Sequence, residues 1–446
     1  MTLSHKLVSK TSRGLCGTLT PPGDKSISHR SLIFGSLAEG TSTVRGLLES
    51  ADVMGTMGAL RAMGASFRKK EGEDLWLIDG VGLDGLRAPE SPMDLGNSGT
   101  SARLLIGLVA GLPFSASFTG DASLQKRPMS RVIEPLSQMG ASFESLDERL
   151  PLTVKGTASL RPMTYTLPVA SAQVKSAILL AGLHTEGVTS VIEPEPTRDH
   201  SENMLRAFGA SIHIEKNALG QDVIALTGRP SLAAQNIVIP ADPSSAAFPL
   251  VAALLVPESR VTLRHVGLNP RRAGLIEVLL AMGAKIDIAD QHLEGGEPVA
   301  DLTVESSELH SLDVPASQAP RMIDEYPILA VAAACAKGRT HLRGLHELRV
   351  KESDRLDLMA RGLARCGADV VVEGDDLIVT GTGAPPPGGV LIDTAMDHRI
   401  AMSFLVLGLC APHPVAIDDS RFIATSFPSF VSMMNALGAS IDTPSS

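Results

Sequence analysis

RAMGASFRK, residues 61–69, reads as the end of one element and the start of another. Arg61 to Met63 suit the last turn of a helix, Gly64 suits a left-handed cap, and the residues from Ser66 alternate as a strand does. The same reading fits SQMGASFES (137–145), RAFGASIHIE (206–215), LAMGAKIDIA (280–289), ARCGADVVVE (364–373) and NALGASIDT (435–443). Six helix–Gly-Ala–strand junctions, 69 to 84 residues apart, form an internal repeat. A repeat sets the architecture ahead of any local motif.

A second series interleaves with the first. SLIFGSLA, LLIGLVAGL, AILLAGL, FPLVAALLV, ILAVAAACA and IAMSFLVLGL are helices apolar on nearly every side, and such helices belong at a domain centre. They open at Ser26–Arg30, Asn97–Arg103, Ser171–Ser176, Asp242–Ala247, Ile323–Ile328 and Asp397–Ala401. Each repeat thus holds one buried helix, one amphipathic helix and several strands. The halves also match: PPGDKSISHRSLIFGSLAEG (21–40) aligns with IPADPSSAAFPLVAALLVPES (239–259), pairing Asp24 with Asp242 and Ser26 with Ser244. The expected class is α/β (α+β), with two pseudo-threefold domains of three repeats each. Their expected bounds are residues 22–241 and 242–446, and the resemblance described below adds residues 1–21 to the second. From the pattern alone, the first 20 residues could pair with either half.

Composition narrows the function. The 446 residues are 44% hydrophobic and only 3% aromatic, which predicts an aliphatic core. A formal charge of −10 argues against a general nucleic-acid binder, which needs a basic excess. Cys16, Cys335, Cys366 and Cys410 form no CxxC pair, so reduced thiols are expected. The N-terminal stretch has no apolar signal core, and no apolar run reaches a bilayer span. A cytoplasmic protein without a membrane partner is expected.

PPGDKSISHR (21–30) ends like a nucleotide P-loop, but the spacing fails: Asp24 separates Gly23 from Lys25. The physics survives. A capped helix start, with Asp24 or Ser26 as cap, presents free N–H groups beside Lys25 and Arg30. Other buried-helix starts carry Asn97, Gly99 and Thr100; Ser171, Gln173 and Lys175; Asp324 and Glu325; and Asp397, His398 and Arg399. The amphipathic helices begin near Lys126 and Arg127, near Arg198, and near Lys351, Glu352 and Arg355. Lys351 and Arg355 would share a face if one helix covers both. If the buried helices run parallel, their N-termini converge, and two such faces across a hinge would make an anion-attracting cleft. Carboxylates among these cations, Asp324 and Glu352, are candidates for proton transfer.

PGDKSISHR, GNSGTSAR, GDASLQKRPM, ASAQVKSAILLAG, IDEYPILAVAAA, LRVKESDR and DHRIAMSFLVLG, in that order, resemble 5-enolpyruvylshikimate-3-phosphate synthases. The likeness runs nearly end to end and is greatest to the variant group that includes glyphosate-tolerant bacterial enzymes. It implies two domains of three βαβαββ units around buried helices, an inside-out α/β barrel with the active-site cleft between the domains and the N-terminal strand in the second half. It also implies transfer of the enolpyruvyl group of phosphoenolpyruvate to shikimate 3-phosphate, with no metal or organic cofactor, in a monomer whose partners are those small molecules.

Position by position, the resemblance assigns catalysis to Asp324, Glu352 and Lys25. Shikimate 3-phosphate falls to Lys25, Ser26, Arg30, Ser171, Ala172, Gln173, Arg198, Asp324 and Lys351. Phosphoenolpyruvate falls to Lys25, Asn97, Gly99, Arg127, Gln173, Glu352, Arg355 and Arg399. Many members have Lys where ATSFP (424–428) has Thr425, so one phosphate contact is absent from the pattern. Two rivals stand beside this reading. A UDP-N-acetylglucosamine enolpyruvyl transferase would carry a Cys in the GDASLQKRPM loop, and this chain has none between Cys16 and Cys335. A non-catalytic shikimate 3-phosphate binder would not need both carboxylates.

Overall fold

All ten residues of the segment Tyr326–Cys335, YPILAVAAAC, are buried, as are all thirteen of His398–Cys410. A helix with no polar face gains free energy only when surrounded, so strands must enclose it. The computed structural model, which describes residues 5–444, builds this arrangement six times. The chain forms two compact units: Lys25–Ile239, and the residues up to Asp24 joined with those from Pro240 onward.

In the unit Lys25–Ile239, the helices are α1 (Lys25–Leu37), α2 (Ala51–Ala62), α3 (Gly99–Ala110), α4 (Ser130–Met139), α5 (Ala172–Gly182) and α6 (His200–Ala207). The odd-numbered helices are the buried ones. One repeat shows the wiring. Strand Met93–Asp94 leads into α3, then strand Ser115–Thr119, α4, and strands Ser142–Ser145 and Leu152–Lys155. This is βαβαββ, and the sheet order is first, second, fourth, third. The first pair is parallel and the others antiparallel. Parallel neighbours need a crossover, and the buried helix supplies it. The repeat around α5 is wired identically. The repeat around α1 takes its first strand from Asn236–Val238, at the far end of the unit.

The second unit contains α7 (Pro243–Leu255), α8 (Gly274–Ala281), the single turn α9 (Ala319–Met322), α10 (Tyr326–Cys335), α11 (Arg355–Arg365), α12 (His398–Cys410) and α13 (Phe430–Ala436). Here the buried helices are α7, α10 and α12. The N-terminal residues complete two of its three four-stranded sheets: Cys16–Leu19 pairs with Arg260–Gly267, and Leu7–Lys10 lies between Val415–Ile417 and Ser440–Asp442. Around Gly23 and Ala241 the chain pairs with itself: Asp24 N donates to Pro240 O, and Asp242 N to Pro22 O, both at 2.8 Å.

The six junction glycines Gly64, Gly140, Gly209, Gly283, Gly367 and Gly438 all adopt φ between 92° and 114°, where an L-residue is strained. A second glycine recurs at the end of the last strand of several repeats. At Gly80, Gly156, Gly228 and Gly381 an added Cβ would stand 2.0–2.1 Å from a carbonyl oxygen at the C-terminal end of a buried helix. The residue after the glycine bonds a neighbouring carbonyl of the same helix end in three repeats: Val81 N donates to Ser36 O, Thr157 N to Ala110 O, and Arg229 N to Leu183 O. No described helix is long and apolar enough to cross a membrane. None of the four cysteines forms a disulfide, although Cys335 and Cys410 place their sulfurs 4.0 Å apart.

Candidate active site

Helix starts gather the charges, because each buried helix leaves its first N–H groups without intrahelical partners. In the unit Lys25–Ile239, Gln173, the second residue of α5, donates to Thr100 Oγ1, on the second residue of α3, at 3.0 Å. Arg30 in α1 donates to Ser176 Oγ in α5 at 2.7 Å. The N-terminal ends of α1, α3 and α5 therefore lie together. Ser98 and Ser171 cap α3 and α5 through their own hydroxyls.

Around these ends, Lys25 pairs with Asp52 at 3.0 Å, and both side chains are largely covered. Arg127 donates to Asn97 Oδ1 at 2.6 Å, and Asn97 donates in turn to Asp121 at 2.7 Å. Arg103 reaches Gln173 Oε1 at 3.0 Å and Gly99 O at 3.2 Å. A Cβ on Gly99 would lie 2.7 Å from Arg103 Nη1 and 3.0 Å from Arg127 Nη1, so glycine lets both guanidinium groups approach this helix start. The buried Arg30 is braced by Ser201 Oγ, Ser176 Oγ and Ser26 O.

The second unit repeats the design with more acids. Asp324 lies in the 3₁₀ turn Ile323–Glu325 that leads into α10. Its Oδ1 accepts from Arg355 Nη1 at 3.1 Å and lies 3.8 Å from Lys351 Nζ. Arg355 has no solvent exposure. It also pairs with Glu352 through Nη2 and with Asp397 through Nε at 2.8 Å. Burial works against that charge, but Asp397, Glu352 and Asp324 together raise the guanidinium above its ordinary range. Asp397 caps α12, accepting from Arg399 N at 2.9 Å. Arg399 donates to Asp324 O at 2.9 Å and faces Glu325, which bonds Ser244 at the start of α7. The starts of α7, α10 and α12 are thus tied into one network.

Two readings differ in the structure, and the other residues take the places given below. Lys351 and Glu352 do not share a helix with Arg355: α11 begins at Arg355 with Asp354 as cap, and both precede it in a turn. The turn is what allows Glu352 to fold back onto the guanidinium. Lys175, grouped with the ligand-facing cations, is fully buried between Glu193 and Glu202 at 2.9 and 2.6 Å, a structural pair of contacts. Asp24, just ahead of α1, also has its carboxylate 3.3 Å from Arg272. Thr425 Oγ1 lies 3.4 Å from His398 Nδ1 at the start of α12 and brings no charge. Arg198 is half-buried in the turn before α6, and Ser26 and Ala172 sit in the first turns of α1 and α5.

Asp52, Arg103, Arg272 and Ser244 received no role from sequence, yet each contacts a predicted residue or its network. Asp52 left a trace, as a lone acid on the buried face of α2 just after the Ser50 cap. Arg103 is one helical turn from Gly99, so its return to that carbonyl follows from geometry.

The EPSP synthase (3-phosphoshikimate 1-carboxyvinyltransferase) sequence profile matches residues 9–434. A 3-phosphoshikimate 1-carboxyvinyltransferase of Paramagnetospirillum magneticum is 58% identical over 99% of each chain, and one of Rhodospirillum rubrum is 57% identical over 96% of each. The EPSP synthase structure of Acinetobacter baumannii superposes with a TM-score of 0.86 at 44% identity, covering 98% of this chain and 100% of that one. The enolpyruvyl transferase NikO of Streptomyces tendae shares the fold at 20% identity, with a TM-score of 0.77 and coverage of 99% and 100%. With a family match over residues 9–434 and relatives 57–58% identical over nearly their whole length, the chain belongs to the EPSP synthase family.

Proposed function

We propose that Asp324, Glu352 and Lys25 carry the proton transfers of the family's reaction in this chain, and that cations of both units hold the two anionic substrates. The chain is a transferase of the shikimate pathway. It moves the enolpyruvyl group of phosphoenolpyruvate to the 5-hydroxyl of shikimate 3-phosphate and releases phosphate. Neither rival, the UDP-N-acetylglucosamine enzyme or a non-catalytic binder, is favoured by the relatives.

The reaction is an addition followed by an elimination. The 5-hydroxyl oxygen bonds to the enol carbon as its proton leaves, and the methylene carbon gains a proton to become a methyl group. From the resulting tetrahedral ketal phosphate, the carbon–oxygen bond to phosphate breaks as the methyl carbon loses a proton. In this proposal Asp324 receives the hydroxyl proton, Glu352 delivers and then removes the proton at carbon, and Lys25 touches both substrates and assists proton transfer. Arg30, Ser26, Ser171, Ala172, Gln173, Arg198 and Lys351 engage shikimate 3-phosphate. Asn97, Gly99, Arg127, Gln173, Arg355 and Arg399 engage phosphoenolpyruvate.

The observation that supports this reading best is the sharing of Arg355 by Asp324 and Glu352. One buried guanidinium fixes two carboxylates beside the start of α10, and the reaction needs proton acceptors at two different atoms. Release of phosphate on mixing both substrates tests the activity. In the same assay Asp324→Asn keeps shape but loses basicity. Turnover should fall by about 10²–10⁴-fold while shikimate 3-phosphate still binds. Near-normal turnover would remove Asp324 from the mechanism.

A further inference from the structure

Strand Arg260–Gly267 and strand Lys285–Glu294 flank strand Glu297–Glu305 in one sheet of the second unit. Both flanking strands carry a register shift at the same level. Leu263 and Val266 pair with Leu302 and Ala300, and Ala289 and His292 pair with Asp301 and Val299. Each shift inserts one extra residue, and such bulges re-aim side chains. At one bulge His265 adopts φ 61°, and at the other Asp290 adopts φ 50°. The outcome is a cluster of two imidazoles and a carboxylate. His265 Nε2 contacts Glu294 Oε2, His292 Nε2 lies 4.0 Å from the same oxygen, and one donor atom from each residue falls within 4.8 Å of the other two.

We propose that His265, His292 and Glu294 form a binding site for one divalent transition metal ion of the zinc type. Two imidazoles and one carboxylate are a donor set suited to Zn(II), leaving an open position for water. The supporting detail is tautomeric. His292 Nδ1 lies 2.8 Å from Asp290 O, so that nitrogen carries a proton and Nε2 is the ring nitrogen turned toward Glu294 to serve as a ligand. The φ of Asp290 puts its carbonyl within reach of the ring, so the bulge orients the ligand. Donors about 2.0–2.2 Å from a common tetrahedral ion stand about 3.3 Å apart, so closure asks the touching His265 and Glu294 to part and the exposed His292 to swing inward. An ion here would link the two flanking strands and brace His265, whose carbonyl accepts from Ala241 N in the linking segment. None of the residues assigned to the reaction belongs to the cluster, so the ion would serve structure.

The test uses the full-length protein, stripped with a chelator and titrated calorimetrically with Zn(II). Co(II) serves as an optical probe of coordination. The wild type should bind one Zn(II) per chain at micromolar metal and gain Tm with it. His292→Ala leaves the His265–Glu294 contact in place. It should weaken binding by about 100-fold or more and abolish the Tm gain, with phosphate release unchanged. Glu294→Gln should weaken binding as well. No saturable binding at micromolar Zn(II), or binding and Tm gain that persist in His292→Ala, would overturn the proposal and leave the cluster a His265–Glu294 ion pair.

Discussion

Arg355→Lys separates the charge of Arg355 from its shape. The guanidinium meets Asp397 through Nε at 2.8 Å and Nη2 at 3.4 Å, Asp324 through Nη1 at 3.1 Å, and Glu352 through Nη2. A lysine ammonium is a point charge on a flexible stem and cannot span three carboxylates arranged around a planar fork. It can stay with Asp397 or move toward Asp324 and Glu352, and it gives up at least two charge-assisted contacts either way. Each is worth about 1.5–3 kcal/mol, so about 3–6 kcal/mol of positioning is lost, equivalent to about 10²–10⁴ in kcat/KM. The fold suffers less, because the buried charge remains. Arg355→Met strands the carboxylates and should cost about 3–5 kcal/mol of stability.

The assay is phosphate release, with kcat/KM for phosphoenolpyruvate and for shikimate 3-phosphate, alongside urea unfolding of both variants. Arg355→Lys should recover most of the stability that Arg355→Met loses, and little of the activity. An Arg355→Lys enzyme within about threefold of wild type, well below the range expected for two lost contacts, would refute the reasoning. The three-way sharing would then have no role in placing Asp324 and Glu352.

Gly99→Ala inserts a methyl 2.7 Å from Arg103 Nη1 and 3.0 Å from Arg127 Nη1, pushing both groups outward. KM for phosphoenolpyruvate should rise about tenfold, and kinetics showing no change would exclude a steric role. Burial pushes the His184 imidazole down to about 4, with Asp84 at 3.7 Å pulling weakly the other way. Its contribution to stability is complete above pH 6.5 and is lost as pH falls toward 4, about 2 kcal/mol by pH 5; a His184→Gln variant with an equally steep pH dependence of its urea midpoint would contradict this. In Gly156→Ala the new Cβ meets Val109 O at 2.1 Å and Leu112 O at 2.2 Å, and backbone cannot yield, so more than about 3 kcal/mol should be lost. Gly64→Ala has open space and pays only left-handed strain, about 1–2 kcal/mol; equal losses of Tm would discount the close approach.

What the sequence made legible was whatever physics writes locally. The six junction glycines stood out because a left-handed cap demands glycine and the following strand alternates. The buried helices stood out because they lack a polar face. The clustering of cations at helix starts followed from both. Partnerships over long separations were not legible. Leu7–Lys10 pairs with strands more than 400 positions away, and nothing in LVSK specifies them. Lys175 looks like any other cation at a helix start, and only the fold brings Glu193 and Glu202 to it. The Lys351–Arg355 spacing suggested one helix face, but Asp354 caps α11 between them, and a cap acts on the backbone whatever the charge pattern suggests. The strand-end glycines at 80, 156, 228 and 381 are regular enough to have been found, but each is a lone glycine without a diagnostic neighbour.

Cap chemistry separates α3 and α5 from α7 and α12 and predicts where the first anion settles. Ser98 and Ser171, both neutral, cap α3 and α5. Asp242 and Asp397, both acidic, cap α7 and α12, and each is matched by a buried arginine, Arg272 at 3.1 Å and Arg355 at 2.8 Å. A neutral cap leaves the positive end of the helix uncompensated, whereas an aspartate opposes it directly. Shikimate 3-phosphate alone should therefore bind chiefly through the unit Lys25–Ile239, where Ser26, Arg30, Ser171 and Gln173 lie. Ser171→Asp tests this cleanly, because aspartate caps a helix as well as serine does. The fold should be as stable as wild type or slightly more so, while the added carboxylate faces the bound phosphate or ring oxygens. A helix-end charge is worth about 0.3–1 kcal/mol at exposed sites and up to about 2 in covered ones, so affinity for shikimate 3-phosphate should fall about tenfold. Calorimetric titration with shikimate 3-phosphate alone, beside a thermal melt, gives both numbers. Unchanged affinity with an intact melt would mean that the start of α5 does not hold the ligand, and Ser171 would then be a cap and nothing more.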